Sequence, residues 1–504
     1  MLNPFDRITG ANRLTSPVYF LSFFSLVGFS AVVIGKMGII SALLLIIMPF
    51  GLAFMYLLFK YPFIGLYTAL FLDFTILGLS RYIDFQVGLL MDGILFLTLI
   101  ALIFNRFYEK IDWSLANKDV TFLAIIWVGY SFFELVNPEA HSFAASINGF
   151  RGVALYMLMT IVFTLLFFDT KQKIDIFLYM WGVLSLLATF KGMMQQFIGC
   201  DSYEQLWLDQ GGAITHVLFG KLRIFSFMSD AGQFGANQAY SAVVAGIIAI
   251  AETNIRKKSF FTIVAVMGIY GMLLSGTRGA ISVPFAGFGT YFVLKKNKAV
   301  MAAGFVMIIV MFVFFKYTKI ANNVDQVRRM RTAFDPNDAS LQVRLENQRT
   351  LSVYLASRPL GGGLGHAGVK AKKYLPNAFL SNVATDSWYV MIWAEMGVIG
   401  LLLHLGILFY IMIKSSYNVM FRIRDPIFKM KIAALTSGMA GVMVASYGNA
   451  VLGSMPTGLL IYISMAIMLN AEKYDTPLPE EGKKEDTDNR LITKAIDYGP
   501  FIKI

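Results

Sequence analysis

The chain has 504 residues, 57% hydrophobic and 15% charged, with a formal net charge of +12 and a mean hydropathy of +0.63. Soluble domains run nearer a quarter charged, so this composition describes a polytopic membrane protein, and continuously apolar rather than alternating runs exclude a β-barrel. Basic residues scattered among short loops suit anionic lipid headgroups and argue against nucleic acid, while a single cysteine, Cys200, forbids an internal disulfide or a cysteine metal cluster.

A spanning helix needs about 20 mainly apolar residues to cross a hydrocarbon layer roughly 30 Å thick. Fourteen runs read as candidate spans: 17–35, 37–59, 61–79, 87–104, 120–136, 152–168, 175–197, 235–251, 260–275, 280–294, 299–316, 386–413, 432–452 and 456–470. The first run lacks a small-residue cleavage site and is expected to stay as a helix. The fold class is therefore all-α and polytopic, with about 14 (12–14) transmembrane helices. With the N-terminus inside, the connections facing the cytoplasm carry Arg106, Lys110 and Lys118, then Lys171 and Lys173, then Arg256 to Lys258. Lys295, Lys296 and Lys298 follow, then Lys414, Arg422, Arg424, Lys429 and Lys431. Every short loop on that side is basic, which places both termini in the cytoplasm.

The opposite, external side is unusual because it also holds arginines. Arg81, Arg151, Arg223 and Arg278 stand at or near ends of apolar runs. Each alone is open to a bland reading, a guanidinium snorkelling to headgroup phosphates. Together with the arginines of the large loop, a shared anion-binding pocket accounts for them better.

Arg223 precedes a polar stretch, Ile224 to Gly235, suited to lining a cavity. Arg278 sits in Ser275-Gly276-Thr277-Arg278-Gly279, where small residues let a backbone turn approach a ligand and Arg offers a bidentate fork. A tight hairpin with an interfacial Arg is the alternative. Asp73, Asp92 and Glu134 lie in or near apolar runs, as interhelical ties or as coupling carboxylates of a pump.

The large loop, 316–385, lies between spans eleven and twelve. It predicts a short basic helix at 322–334, a turn at Asp335-Pro336-Asn337-Asp338, and a second helix from Ser340. That helix carries Leu341, Leu345 and Leu351 on one stripe and Arg344 and Gln348 one turn apart; it is expected to lie on the outer membrane surface with Ser340 as its cap. Arg358-Pro359 stops it, and Gly361 to Gly365 then give a flexible turn before His366. Asp386 opens span twelve, either as a helix cap or as a general base that accepts a hydroxyl proton. His366 is the rival base. His404, inside span twelve, is expected to make a helix–helix hydrogen bond.

Beyond residue 472 the chain reads as a charged, disordered cytoplasmic tail, 473–504. Its Asp486-Thr487-Asp488 has the spacing of a metal site but no fold around it, so no metal or other cofactor is expected. One transmembrane domain, 1–472, accounts for the rest.

Several of these pieces, in this order, resemble the O-antigen ligase and polysaccharide polymerase superfamily of bacterial inner membranes. The resemblance covers 220–412. It rests on Arg223 with Phe225 to Asp230, SGTRGA at 275–280, Arg344 in VRLENQ, Arg358 to Gly365, and Asp386-Ser387-Trp388-Tyr389 followed by Glu395 to Gly400. It implies a GT-C-like, metal-independent membrane glycosyltransferase of the inner membrane, working at the periplasmic face. Its implied partners are an undecaprenyl-diphosphate-linked glycan donor, a glycan acceptor and the lipid bilayer, with a chain-length regulator and a flippase as further candidates. By the same resemblance Arg223, Arg278, Arg344 and Arg151 bind diphosphate or glycan, and Asp386 or His366 is the base. Ligases of this type tend to carry a histidine where this chain has Asp386, which tilts the expectation towards a polymerase. Ligation of glycan to a lipid A core is the first alternative. Transport or lipid flipping is the second, although no pair of Gly/Pro-broken helices repeats between the halves.

Overall fold

The computed structural model describes residues 21–25, 27–28, 35–36, 39–83, 88–108, 111–218, 220–320, 322–323, 325–332, 335 and 337–475. The expected first span falls largely outside the described residues, and the tail beyond Asp475, with Asp486 and Asp488, falls wholly outside them. Among the described residues the chain is helices and their connections, with one pair of two-residue strands, Val217-Leu218 and Lys221-Leu222, paired antiparallel.

Thirteen helices answer to the remaining expected spans. They are α1 (Ile39–Lys60), α2 (Phe63–Leu79), α3 (Gly88–Tyr108), α4 (Asp119–Phe133), α5 (Phe143–Phe167), α6 (Lys171–Phe197) and α7 (Ala231–Ala251). After them come α8 (Ile255–Ser275), α9 (Ser282–Leu294) and α10 (Lys298–Tyr317). Three more, α12 (Trp388–Tyr417), α13 (Pro426–Ala445) and α14 (Thr457–Leu469), follow the large loop, whose main helix is α11 (Ala339–Leu355). Among the described residues nine helices are long and apolar enough to cross a membrane, so the chain is an all-α, multi-pass membrane protein.

The most buried long helix is α7, 83% buried, against 11% for α10. The reason is its composition, since Gly and Ala let neighbouring backbones close in. A Cβ at Gly268 of α8 would stand 2.8 Å from the Gln238 carbonyl, and one at Gly441 of α13 would stand 2.4 Å from the Val283 carbonyl of α9. Polar side chains stitch the same interior. Ser185 and Thr189 donate to Gln238 at 2.8 and 3.0 Å, and Trp181 donates to Ser241 at 2.8 Å.

One end of the bundle gathers the basic connections. Lys171 pairs with Asp425, Lys431 with Asp175, and Lys414 with Asp119. The arginine-bearing segments and the large loop gather at the other end.

Three expectations for this second end need correction. The cap of α11 is Asp338, which accepts from the Leu341 amide at 3.1 Å, and not Ser340. Its apolar stripe does not face lipid throughout: Leu351 and Leu355 pack with Ala367, Leu380 and Ala394, pinning the helix to the start of α12. Span twelve is not one straight helix. It breaks at Gly397, φ 66° and ψ −170°, a conformation open to glycine alone.

The break explains two sequence features. Gly361 and Gly397 stack backbone on backbone; a Cβ on Gly397 would stand 1.9 Å from the Pro359 carbonyl. The amides of Gly362 and Gly363 donate to Ala394 and Glu395 at 2.9 and 3.0 Å. The glycine run is thus a rigid joint rather than a flexible turn. Trp388 folds back to donate to His404 at 3.0 Å, so His404 bonds across the break within α12 instead of to a separate helix.

Candidate active site

The site is built from segments that enter or leave helices at the loop-bearing end. The first is the stretch from Arg223 to Asp230, which leads into α7. Its backbone is clamped from three sides. Gln195 accepts from the Ser226 amide at 2.8 Å, Ser226 donates to the Ala188 carbonyl at 2.6 Å, and Arg81 donates to the Ser226 and Met228 carbonyls. Arg81 also lies over the Trp207 and Phe225 rings, 4.8 and 4.3 Å from their centroids. Burial pulls its guanidinium down to about 10 from its ordinary value. Arg81 is therefore a strut that shapes this segment, and the expectation that all four external arginines share one anion pocket does not hold for it.

Arg223 comes off the clamped segment half-buried. It reaches Thr277 Oγ1 with Nη2 at 3.4 Å. Burial lowers its pKa first, and the charges of Arg329, Arg278 and Arg344 lower it further, while Asp230 opposes them. Arg223 therefore lies among three further guanidinium groups, of which Arg278 and Arg344 are paired with Asp338 and Asp386.

The second segment is the turn after α8. Gly276 ends the helix in the left-handed region at φ 57°, which turns the chain so that Thr277 caps back onto the Ala231 carbonyl at 2.8 Å. Arg278 then projects towards the large loop, donating to Thr332 at 3.1 Å and pairing with Asp338. The short helix Asp325–Arg331 brings Arg329 against the same turn: a Cβ on Gly276 would lie 3.6 Å from its Nη1.

The third segment joins α11 to α12. Arg344 Nε meets Asp386 Oδ2 at 3.3 Å, and Asn347 donates to the Ala384 carbonyl at 3.3 Å. Ser387, and not Asp386, caps α12 by accepting from the Val390 amide. Asp386 is left half-exposed with Arg344 as its partner.

His366 is placed differently. It is buried, its Nδ1 bonds to the Leu364 carbonyl at 2.9 Å, and its Nε2 accepts from the Ser142 amide at 3.1 Å. The imidazole's free lone pair is already in use. Burial also lowers its pKa, with His141 adding to the effect. Arg151 is engaged with α3, pairing with Asp92 at 2.5 Å while Nη2 donates to Asn148 at 2.8 Å. Tyr156 donates to the same Asp92, so this carboxylate serves as a tie between α3 and α5.

The fourth segment is the α13–α14 connection, which sequence reasoning missed. The Ser446 carbonyl accepts from Trp388 N at 3.0 Å and from Ser387 Oγ at 3.2 Å, and the Ala450 carbonyl accepts from Gln233 at 2.8 Å. A Cβ on Gly448 would lie 3.9 Å from Arg344 Nη1. Its sequence, SYGNAVLGSMP, carries no charge, so nothing in composition singled it out.

The arrangement offers clustered guanidinium donors, an accessible carboxylate beside one of them, and neutral polar walls. That suits recognition of an anion next to a reacting hydroxyl. A family model described as O-antigen ligase matches residues 263–405. No curated protein matches the chain. The matched stretch contains Arg278, Arg329, Arg344, His366 and Asp386; Arg223, Arg151 and the α13–α14 connection lie outside it.

Proposed function

We propose, from the premise that residues 263–405 form a domain of the O-antigen ligase and polysaccharide polymerase superfamily, that the chain is a polysaccharide polymerase of the bacterial inner membrane. It joins undecaprenyl-diphosphate-linked repeat units into a longer glycan at the periplasmic face. The observation that carries this reading is the gathering of Arg223, Arg278 and Arg344, with Arg344 beside Asp386.

In the proposed reaction the acceptor hydroxyl attacks the anomeric carbon of the donor sugar. Its proton passes to Asp386, the new carbon–oxygen bond forms, and the sugar–phosphate bond breaks with the electron pair leaving on the diphosphate. Arg223, Arg278 and Arg344 hold that diphosphate and stabilise the charge that grows on it. Single displacement inverts the anomeric centre. His366, with both ring nitrogens engaged, supports the turn beside this site, which leaves Asp386 as the better base. Arg151, tied to Asp92, stands at the margin of the binding role.

Ligation is the second reading, favoured by the description of the matched domain. Reconstitution in proteoliposomes with a radiolabelled undecaprenyl-diphosphate oligosaccharide separates the possibilities. Longer glycans formed without added nucleotide support polymerisation. Label moved only onto a lipid A core acceptor supports ligation, and translocation of unaltered glycan overturns both in favour of flipping.

A further inference from the structure

Asn449, in the α13–α14 connection, is where the walls of the site meet. A Cβ on Gly279, next to Arg278, would stand 2.3 Å from Asn449 Nδ2. One on Gly232, at the start of α7, would stand 3.3 Å from Asn449 Oδ1. Glycine at both positions lets two backbone turns close onto a single amide side chain. The neighbouring residue, Gly448, lies against Arg344 and Gly279. Asn449 Nδ2 is buried and has no hydrogen-bond acceptor among the described residues. A buried donor without a partner is unfavourable and calls for an explanation in a site this closely built.

We infer that Asn449 is a further binding residue, one that donates its side-chain amide to a phosphate oxygen of the diphosphate held by the neighbouring arginines. A neutral donor suits this place. Arg223 already lies among the positive charges of Arg278, Arg329 and Arg344, and a further cation would add to the repulsion on it, whereas an amide adds a hydrogen bond without charge. A carboxylate of the same shape would offer only acceptors to an anion. The inference rests on the diphosphate reading of the site and extends that site beyond the matched domain.

The test uses the full chain in nanodiscs with undecaprenyl diphosphate and undecaprenyl monophosphate as probes, read by native mass spectrometry alongside thermal unfolding. Asn449→Asp keeps the shape and reverses the hydrogen-bonding role; Asn449→Ala removes the donor. Binding of the diphosphate is expected to weaken about tenfold in Asn449→Ala and more in Asn449→Asp, with unfolding midpoints close to wild type. Gly279→Ala, which pushes on the amide, is expected to weaken the same binding. Diphosphate affinity unchanged in Asn449→Asp overturns the assignment of Asn449 alone. A loss of unfolding midpoint with affinity retained in the folded fraction also overturns it, by making Asn449 a packing residue. Wild-type protein that does not bind the diphosphate overturns both this inference and the function on which it rests.

Discussion

Arg344 and Asp386 stand 42 positions apart in sequence and meet with Nε 3.3 Å from Oδ2. The loop helix α11 thereby lays a cation against the one carboxylate of the site that is half-exposed and not engaged as a cap. If Asp386 accepts the acceptor's proton, Asp386→Asn keeps the shape and removes the base. Turnover should fall by about 100- to 10,000-fold, the usual contribution of a positioned base, with donor KM nearly unchanged. Arg344→Ala should lower kcat/KM through donor binding as well. The measurement is initial-rate glycan extension in proteoliposomes; an Asp386→Asn enzyme as fast as wild type removes Asp386 from the chemistry.

Arg278 presents a planar fork at the end of a short turn, already fixed by Thr332 and Asp338. A lysine at this position keeps the charge but loses the paired donors that match a phosphate. Arg278→Lys is expected to fail nearly as completely as Arg278→Ala, with expression and membrane insertion intact in both. Near wild-type extension by Arg278→Lys would show that charge alone suffices.

Gly397 and Gly406 lie in the same helix, yet substitution should separate them sharply. Gly397 adopts a left-handed backbone, and a Cβ there would strike the Pro359 carbonyl at 1.9 Å. Around Gly406 there is nothing within 4 Å of an added Cβ. Gly397→Ala should cost more than about 3 kcal/mol through strain and overlap combined, seen as loss of folded protein on detergent size-exclusion. Gly406→Ala should elute and unfold like wild type. Equal behaviour of the two would mean that the break in α12 does not position the loop.

These contrasts show what the sequence could carry. Helix positions were legible because length and hydropathy are local properties, and the arginines stood out because they violate a sorting rule. Arg223, Arg278 and Arg344 could therefore be named as candidates from the sequence, with the binding role supplied by the family resemblance. Arg81 has the same signature and a different task, because whether a guanidinium meets an anion or two carbonyls depends on residues 145 and 147 positions away. The break at Gly397 was hidden in an unbroken apolar run, and its partner, Gly361, looked like part of a loose turn. Asn449 gave no signal at all: an uncharged residue in an uncharged connection acquires meaning only when α7, α8 and α11 are brought around it.

His366 yields a prediction with a definite sign. Burial holds its pKa below the ordinary 6.5, so the folded protein keeps the ring neutral where the unfolded chain would protonate it. The unfolded state then binds more protons as pH falls, and stability present above about pH 6.5 is lost on acidification. Protonation would also break the bond from the Ser142 amide to Nε2, which requires a lone pair. Thermal unfolding of the purified protein between about pH 7.5 and about pH 5 should show a falling midpoint. His366→Gln should start lower, having lost a buried bond, but descend less steeply, and should keep far more activity than Asp386→Asn. An unaltered slope in His366→Gln would mean that other groups govern the acid response. A loss of turnover greater than that of Asp386→Asn would give the base role to His366.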